Sequence, residues 1–173
     1  MGSEGHNNTI AWLVDYVSSF GEGYYNVSTQ PFTALYSNSE GNLAVAGELI
    51  EAEPFEYTTG GEVSAPVVAV ANLGCEAADY PADVEGAVAL ISRGTCPFGD
   101  KSALAGAAGA VGAIIYNNAD GPVGGGTLGP PPNLLGEYVP TVGISGEDGA
   151  ALLEAGEVTA EIYVLAELYN VTT

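Results

Sequence analysis

The chain has 173 residues, 47% of them apolar, and sets 22 acidic side chains against two basic ones, Arg93 and Lys101, for a formal net charge of −20. That length suits one ordinary domain, or one domain with an appendage. Such a surface repels phosphate backbones and anionic headgroups, and no apolar run is long enough to cross a bilayer, so nucleic-acid and membrane partners are excluded.

In chain order, the spacing predicts a first helix over 10–19. Asn8 or Thr9 can cap it, Ile10, Leu13, Val14 and Val17 share one face, Trp12 and Tyr16 broaden that face, and Gly21 can end it. Tyr25, Val27 and Thr29 then alternate as in a strand over 24–35, with Pro31 as an edge or bend. A helix and one strand cannot cover their own apolar surface, so this opening needs the rest of the chain or a further body. Strand character returns over 43–50 and 62–71, with Gly60-Gly61 as the turn between, and 72–85 reads as a surface connection holding Cys75, Tyr80-Pro81 and several acids.

The stretch 88–118 carries the most pattern. Ala87 to Ile91 is a continuous apolar run, as in a strand buried on both faces. A loop with Arg93, Gly94, Cys96, Pro97 and Phe98 follows, then a helix from Asp100 to about Ala110 whose small side chains allow close packing on a sheet. Ala113 to Tyr116 is a second short strand, so the unit is a parallel crossover. Gly94 to Ser102 resembles a phosphate-binding loop with one residue too many: Asp100 displaces Lys101 and puts a carboxylate where phosphate would sit. Gly106, Gly109 and Gly112 lie within and after the helix, so close packing explains them better than dinucleotide binding.

Residues 118–138, with Gly124-Gly125-Gly126 and Pro130-Pro131-Pro132, form the longest irregular stretch, expected to be an exposed and functional or mobile lobe. A strand over 139–144 leads to Ser145, which with Asp148 opens a helix through Ala155 that Gly156 closes. Residues 158–165 alternate as a last strand, and 167–173 leave the domain. Cys75 and Cys96 either form a disulfide, worth roughly 3 kcal/mol in the chain-entropy model, or remain two buried thiols. Sequons at Asn7, Asn26 and Asn170 point to the same oxidising compartment as a disulfide would.

The series Leu90, Arg93-Gly94, Cys96, Phe98, Lys101, Ala105, Ala108-Gly109-Ala110, Gly112 and 114–117, with a second block from Val139 to Ser145 followed by Asp148-Gly149 and Leu152, resembles the signature of the protease-associated domain. The termini carry a further resemblance. Residues 2–7, Tyr24-Tyr25-Asn26-Val27, Gln30-Pro31-Phe32 and 166–171 look like the flanks of that domain in secreted or vacuolar fungal zinc aminopeptidases of the leucine aminopeptidase and aminopeptidase Y type. The resemblance implies a β-rich α/β fold, a sheet closed into a sandwich or barrel with two short helices, plus an extra N-terminal helix. It divides the chain into 1–40, resembling the start of a peptidase domain, 41–166, the protease-associated domain, and 167–173, a return toward a catalytic domain.

Hydrolysis by the chain itself is not expected. The implied two-zinc site needs two histidines with several carboxylates, whereas His6 is the only histidine, so no catalytic or metal residue is assigned and zinc is expected only in the catalytic domain. Acid pairs such as Glu51/Glu53 and Asp79/Asp83 arise by chance among so many acids and read as solvated surface, and a calcium site at 117–121 lacks the alternating ligand spacing of a known loop. The expected role is contact with peptide or protein substrate and with the peptidase catalytic domain, through Arg93, Phe98, Leu128, Leu134, Leu135 and Tyr138, in a secreted or vacuolar protein. Arg93 is alternatively tied in a salt bridge to one of the many acids. A homodimer through the first helix is a further expectation, and a stand-alone binding or sorting-receptor ectodomain is the competing reading.

Overall fold

The central apolar run becomes a strand, Val88–Ser92, and its side chains divide between two cores. Val88 and Leu90 pack with Leu43, Ile114, Val142, Ile162 and Val164, while Ala89 and Ile91 pack with Phe55, Val84, Leu104, Ile115 and Leu128. Alternate residues face opposite sides of a strand, so an unbroken apolar run is what a strand covered on both faces requires.

The computed structural model describes residues 3–21 and 24–172. Eight strands form one sheet: β1 (Thr33–Val45), β2 (Glu48–Ile50), β3 (Glu53–Pro54), β4 (Gly61–Ala69), β5 (Val88–Ser92), β6 (Gly112–Tyr116), β7 (Thr141–Ile144) and β8 (Thr159–Thr172), in the order β2-β1-β8-β4-β5-β6-β7-β3. Strands β4 to β7 are parallel neighbours, and β8, β2 and β3 pair antiparallel with β4, β1 and β7. The two strands that end the order, β2 and β3, are separated in sequence only by Glu51 and Ala52. Three residue steps reach at most about 11 Å, so the opposite edges are drawn together and the sheet curls on itself. Two short helices flank it, α2 (Phe98–Ala107) and α3 (Gly146–Ala155), and a third, α1 (Glu4–Ser18), precedes it. The fold is the β-rich α/β arrangement that the sequence implies.

The chain divides into two compact units, Met1–Tyr36 with Leu168–Thr173, and Ser37–Glu167. In the first, α1 begins at Glu4 rather than at residue 10 as its spacing predicts, because Ser3 rather than Asn8 or Thr9 caps it: the Ser3 hydroxyl accepts from the His6 N–H at 3.3 Å. None of its residues is buried. Trp12 stacks on Tyr16 at 5.2 Å, and Tyr16 meets Phe20 edge-on at 5.1 Å, the i, i+4, i+8 spacing of one exposed stripe. The strand expected over 24–35 starts only at Thr33; Tyr25, Val27 and Thr29 alternate, yet among the described residues no neighbouring strand takes up their backbone. Gly2 and Thr173, at the ends of the two terminal segments, lie outside the described residues.

In the second unit the connection 72–85 folds into two turns of 3-10 helix, Ala77–Asp79 and Ala82–Val84. Helix α3 matches its sequence signals: Ser145 accepts from the Asp148 N–H at 3.0 Å, and Gly156 closes it at φ +74°, a conformation costly for any residue with a Cβ. Strand β8 runs past Leu165 to Thr172, its residues from Leu168 on belonging to the first unit.

Candidate interaction surface

The surface is built where the parallel strands end. Arg93 follows β5 and prolongs the ladder by one rung, its N–H donating to the Tyr116 carbonyl at 2.8 Å. Its guanidinium donates to Asn117 Oδ1 at 3.1 Å and to the Val123 carbonyl at 3.4 Å, and its Cζ lies 5.8 Å from the centre of the Phe98 ring. Phe98 in turn packs on Phe55 at 4.9 Å. A neutral amide, a carbonyl and an aromatic face thus hold the cation, in place of the carboxylate expected from the excess of acids.

Asn117 joins this seat to the long loop. It is buried, and its Nδ2 donates to the carbonyls of Gly121 and Pro122 at 3.1 and 3.0 Å while Oδ1 also accepts from the Asn118 N–H at 3.0 Å. All the capacity of one side-chain amide is used to turn the chain out of β6.

The lobe over 118–138 is therefore tied down rather than loose. Val123 and Leu128 are buried. Glu56 donates its N–H to the Gly126 carbonyl and accepts from the Leu128 N–H. Leu128, expected at the surface, is 5% exposed and anchors the lobe in the core under Ile91 and Leu104. Tyr138, half-buried, donates its hydroxyl to the Leu128 carbonyl at 2.9 Å, so it braces the lobe from behind. What projects is the turn 133–136: Leu134 is wholly exposed and Leu135 46% exposed. The turn is stiff, because Asn133 Oδ1 accepts from the Leu135 N–H at 2.8 Å and its Nδ2 donates to Asp100 Oδ1 on α2 at 3.1 Å. The candidate residues thus separate into a seat (Arg93, Phe98), braces (Leu128, Tyr138) and an apolar tip (Leu134, Leu135).

Behind Phe98 the Cys75–Cys96 disulfide joins the connection after β4 to the loop before α2. Beside it Lys101 is completely buried, its Nζ donating to the Leu73 carbonyl and lying 3.7 Å from Cys75 Sγ. Burial pushes the lysine pKa down, against the opposing pull of the Asp79 carboxylate. Asp79 accepts from Asn72 Nδ2 at 2.6 Å and from the N–H groups of Glu76 and Cys75 at 3.0 Å, and these bonds hold its carboxyl below the usual range. The single Tyr80 O–H is shared between the carbonyls of Gly74 and Lys101, at 3.0 and 2.9 Å, and burial raises its pKa. Lys101 and Asp79 were invisible as partners in the sequence, although the spacing of Glu76 and Asp79 is a helix-start signal. Asp79, saturated with donors, is not poised for acid chemistry with the exposed Asp83.

Family membership follows from comparison. A PA domain model matches residues 63–152. The chain belongs to the PA domain family. Over 99% of its length this PA domain chain is 46% identical to a protein named probable leucine aminopeptidase 2 of Aspergillus oryzae, of which it covers 35%. The solved structure of the aminopeptidase from Aneurinibacillus sp. strain AM-1 superposes with TM-score 0.82 at 35% identity, over 99% of this chain and 42% of that one. A zinc aminopeptidase from Bacillus subtilis superposes with TM-score 0.65 at 29% identity, over 98% of this chain and 40% of that one. The chain spans about a third of the length of the curated relatives it matches.

The donor set of the PA domain does not suit zinc. Among the described residues no three His, Cys, Asp or Glu side chains converge, both cysteines are consumed in the disulfide, and His6 stands in the first turn of α1 away from any such group. The sequon asparagines Asn7, Asn26 and Asn170 are all exposed.

Proposed function

We propose that this PA domain is a recognition element of a secreted or vacuolar zinc aminopeptidase, contacting peptide or protein and shaping access to a neighbouring catalytic site while leaving hydrolysis to that site. The observation that carries the reading is the turn 133–136, which holds the wholly exposed Leu134 on a backbone braced against α2. A rigid apolar tip loses little entropy on contact and fits an apolar recess of a partner. The disulfide and the three exposed sequon asparagines support an oxidising compartment. In this reading residues 1–40 and 167–173 belong with the catalytic domain, which covers the aromatic stripe Trp12, Tyr16 and Phe20; in the chain taken alone the same stripe serves a homodimer.

The test uses the full-length aminopeptidase carrying Leu134→Ser with Leu135→Ser. The ratio of kcat/KM for a decapeptide to kcat/KM for leucine p-nitroanilide is expected to change by at least five-fold with zinc content unaltered. An unchanged ratio contradicts the reading.

A further inference from the structure

Strand β4 changes neighbours two-thirds of the way along, and the change leaves part of its edge open. Its first part pairs with β8 as far as Pro66 opposite Thr159, and its last three residues, Val67, Val68 and Ala69, pair with β5 on the other side. Backbone groups of successive strand residues address alternate edges. Val70 donates to the Leu90 carbonyl on β5, whereas Val67 donates to the Val158 carbonyl, both at 2.9 Å, so Val67 and, one repeat further, Ala69 face the β8 side. There β8 has not yet begun, since the chain is still leaving α3 at Gly156. Among the described residues the N–H and C=O of Ala69, an exposed residue, have no backbone partner on that edge.

A groove of about 830 Å³ lies at this part of β4, lined by Pro66 to Ala69, Pro81, Asp83 and Gly156 to Thr159. Asp83 and Glu157, both exposed, bring two carboxylates to its lining. No cation balances them there: of the two basic residues, Lys101 is buried beside the disulfide and Arg93 is seated on Asn117. With a net charge of −20 behind it, the groove attracts basic segments and repels acidic ones.

We infer that this groove takes an extended peptide segment bearing basic side chains, laid as a short strand along β4 in the place that β8 leaves vacant. Strand addition supplies the hydrogen bonds through Ala69, and the two carboxylates select the charge. The inference deepens the recognition role proposed above and rests on it, but uses a different part of the molecule from the Leu134 tip.

The experiment is a titration of the whole 15N-labelled chain with acetyl-Val-Lys-Val-Lys-Val-amide, read by amide chemical shifts. A saturable shift of the Ala69 amide is expected, with at least five-fold weaker binding for Asp83→Asn combined with Glu157→Gln, at least ten-fold weaker binding when the central peptide nitrogen is methylated, and none when glutamate replaces lysine in the peptide. An Ala69 amide that does not move at millimolar peptide overturns the inference, as does equal binding of the methylated or the acidic peptide. Shifts confined to Arg93, Phe98 and Leu134 also overturn it while leaving the recognition role standing, whereas that role falls on the substrate ratio of the full-length enzyme.

Discussion

The ammonium of Lys101, shut off from solvent, lies 3.7 Å from the sulfur of Cys75 and donates to the carbonyl of Leu73. A buried cation is costly unless its surroundings answer it. Here a carbonyl and the field of Asp79 do so, and the lysine thereby fastens α2 to the disulfide-bonded connection.

Replacement of Lys101 separates packing from charge. Lys101→Ala leaves both a void and an unmet carbonyl and is expected to cost about 2–4 kcal/mol, more than Lys101→Met, which keeps the stem. The lysine pKa is lowered in the folded state, so the unfolded chain holds its proton more tightly and the cost of burying the charge is relieved as pH rises from the folded value toward 10.5. The stability of the parent chain relative to Lys101→Met should therefore increase over that window, measured by urea unfolding at a series of pH values.

Asp79 gives a dependence of the same sign, in the acid range. Its pKa is lowered, first by the Asn72 hydrogen bond and then by the backbone N–H of Glu76, so its contribution is complete above the ordinary value of 3.8 and is lost as pH falls from there through the folded value. Asp79→Asn should lower the unfolding midpoint at pH 7, and the gap from the parent chain should narrow steadily below pH 3.8. Thermal melts at pH 7, 4 and 3 check this.

Asn117→Ala removes the acceptor of Arg93 and the donor to two loop carbonyls at once. Leaving such groups unmet costs about 1–3 kcal/mol. Faster amide exchange should appear first in the lobe, at Gly121 and Val123, with little change in β4. Uniform change across the sheet would contradict the assignment of Asn117 as the pin of this lobe.

How far the sequence foretells this structure depends on the range of the interaction. Strand β5 was legible because burial on both faces writes an unbroken apolar run, and α3 because Ser145 and Gly156 mark its ends locally. The role of the small residues in α2 was legible only in part. Gly99 and Gly106 do permit close approach, but to the lobe: a Cβ on them would lie 2.1 Å from the Leu128 carbonyl and 2.5 Å from that of Glu137. Nothing local reveals that a segment some thirty residues downstream folds back over the helix, and the same distance hid the burial of Leu128. The strand expected over 24–35 failed for a related reason: alternation describes a surface, and a strand also needs a neighbour. For the candidate surface, Arg93, Phe98 and Asn117 all stood in the motif, but the bond between Arg93 and Asn117 joins positions 24 residues apart and was not legible there, and Phe55 came from outside the motif.

The proposed division of labour, recognition by this chain and hydrolysis by a catalytic domain, is tested most directly by one measurement. The purified chain is equilibrated with excess Zn²⁺, dialysed, and assayed for bound metal and for hydrolysis of leucine p-nitroanilide. Less than a tenth of an equivalent of zinc and no turnover above buffer are expected; one tightly held zinc per chain, or a measurable turnover number, would contradict the account.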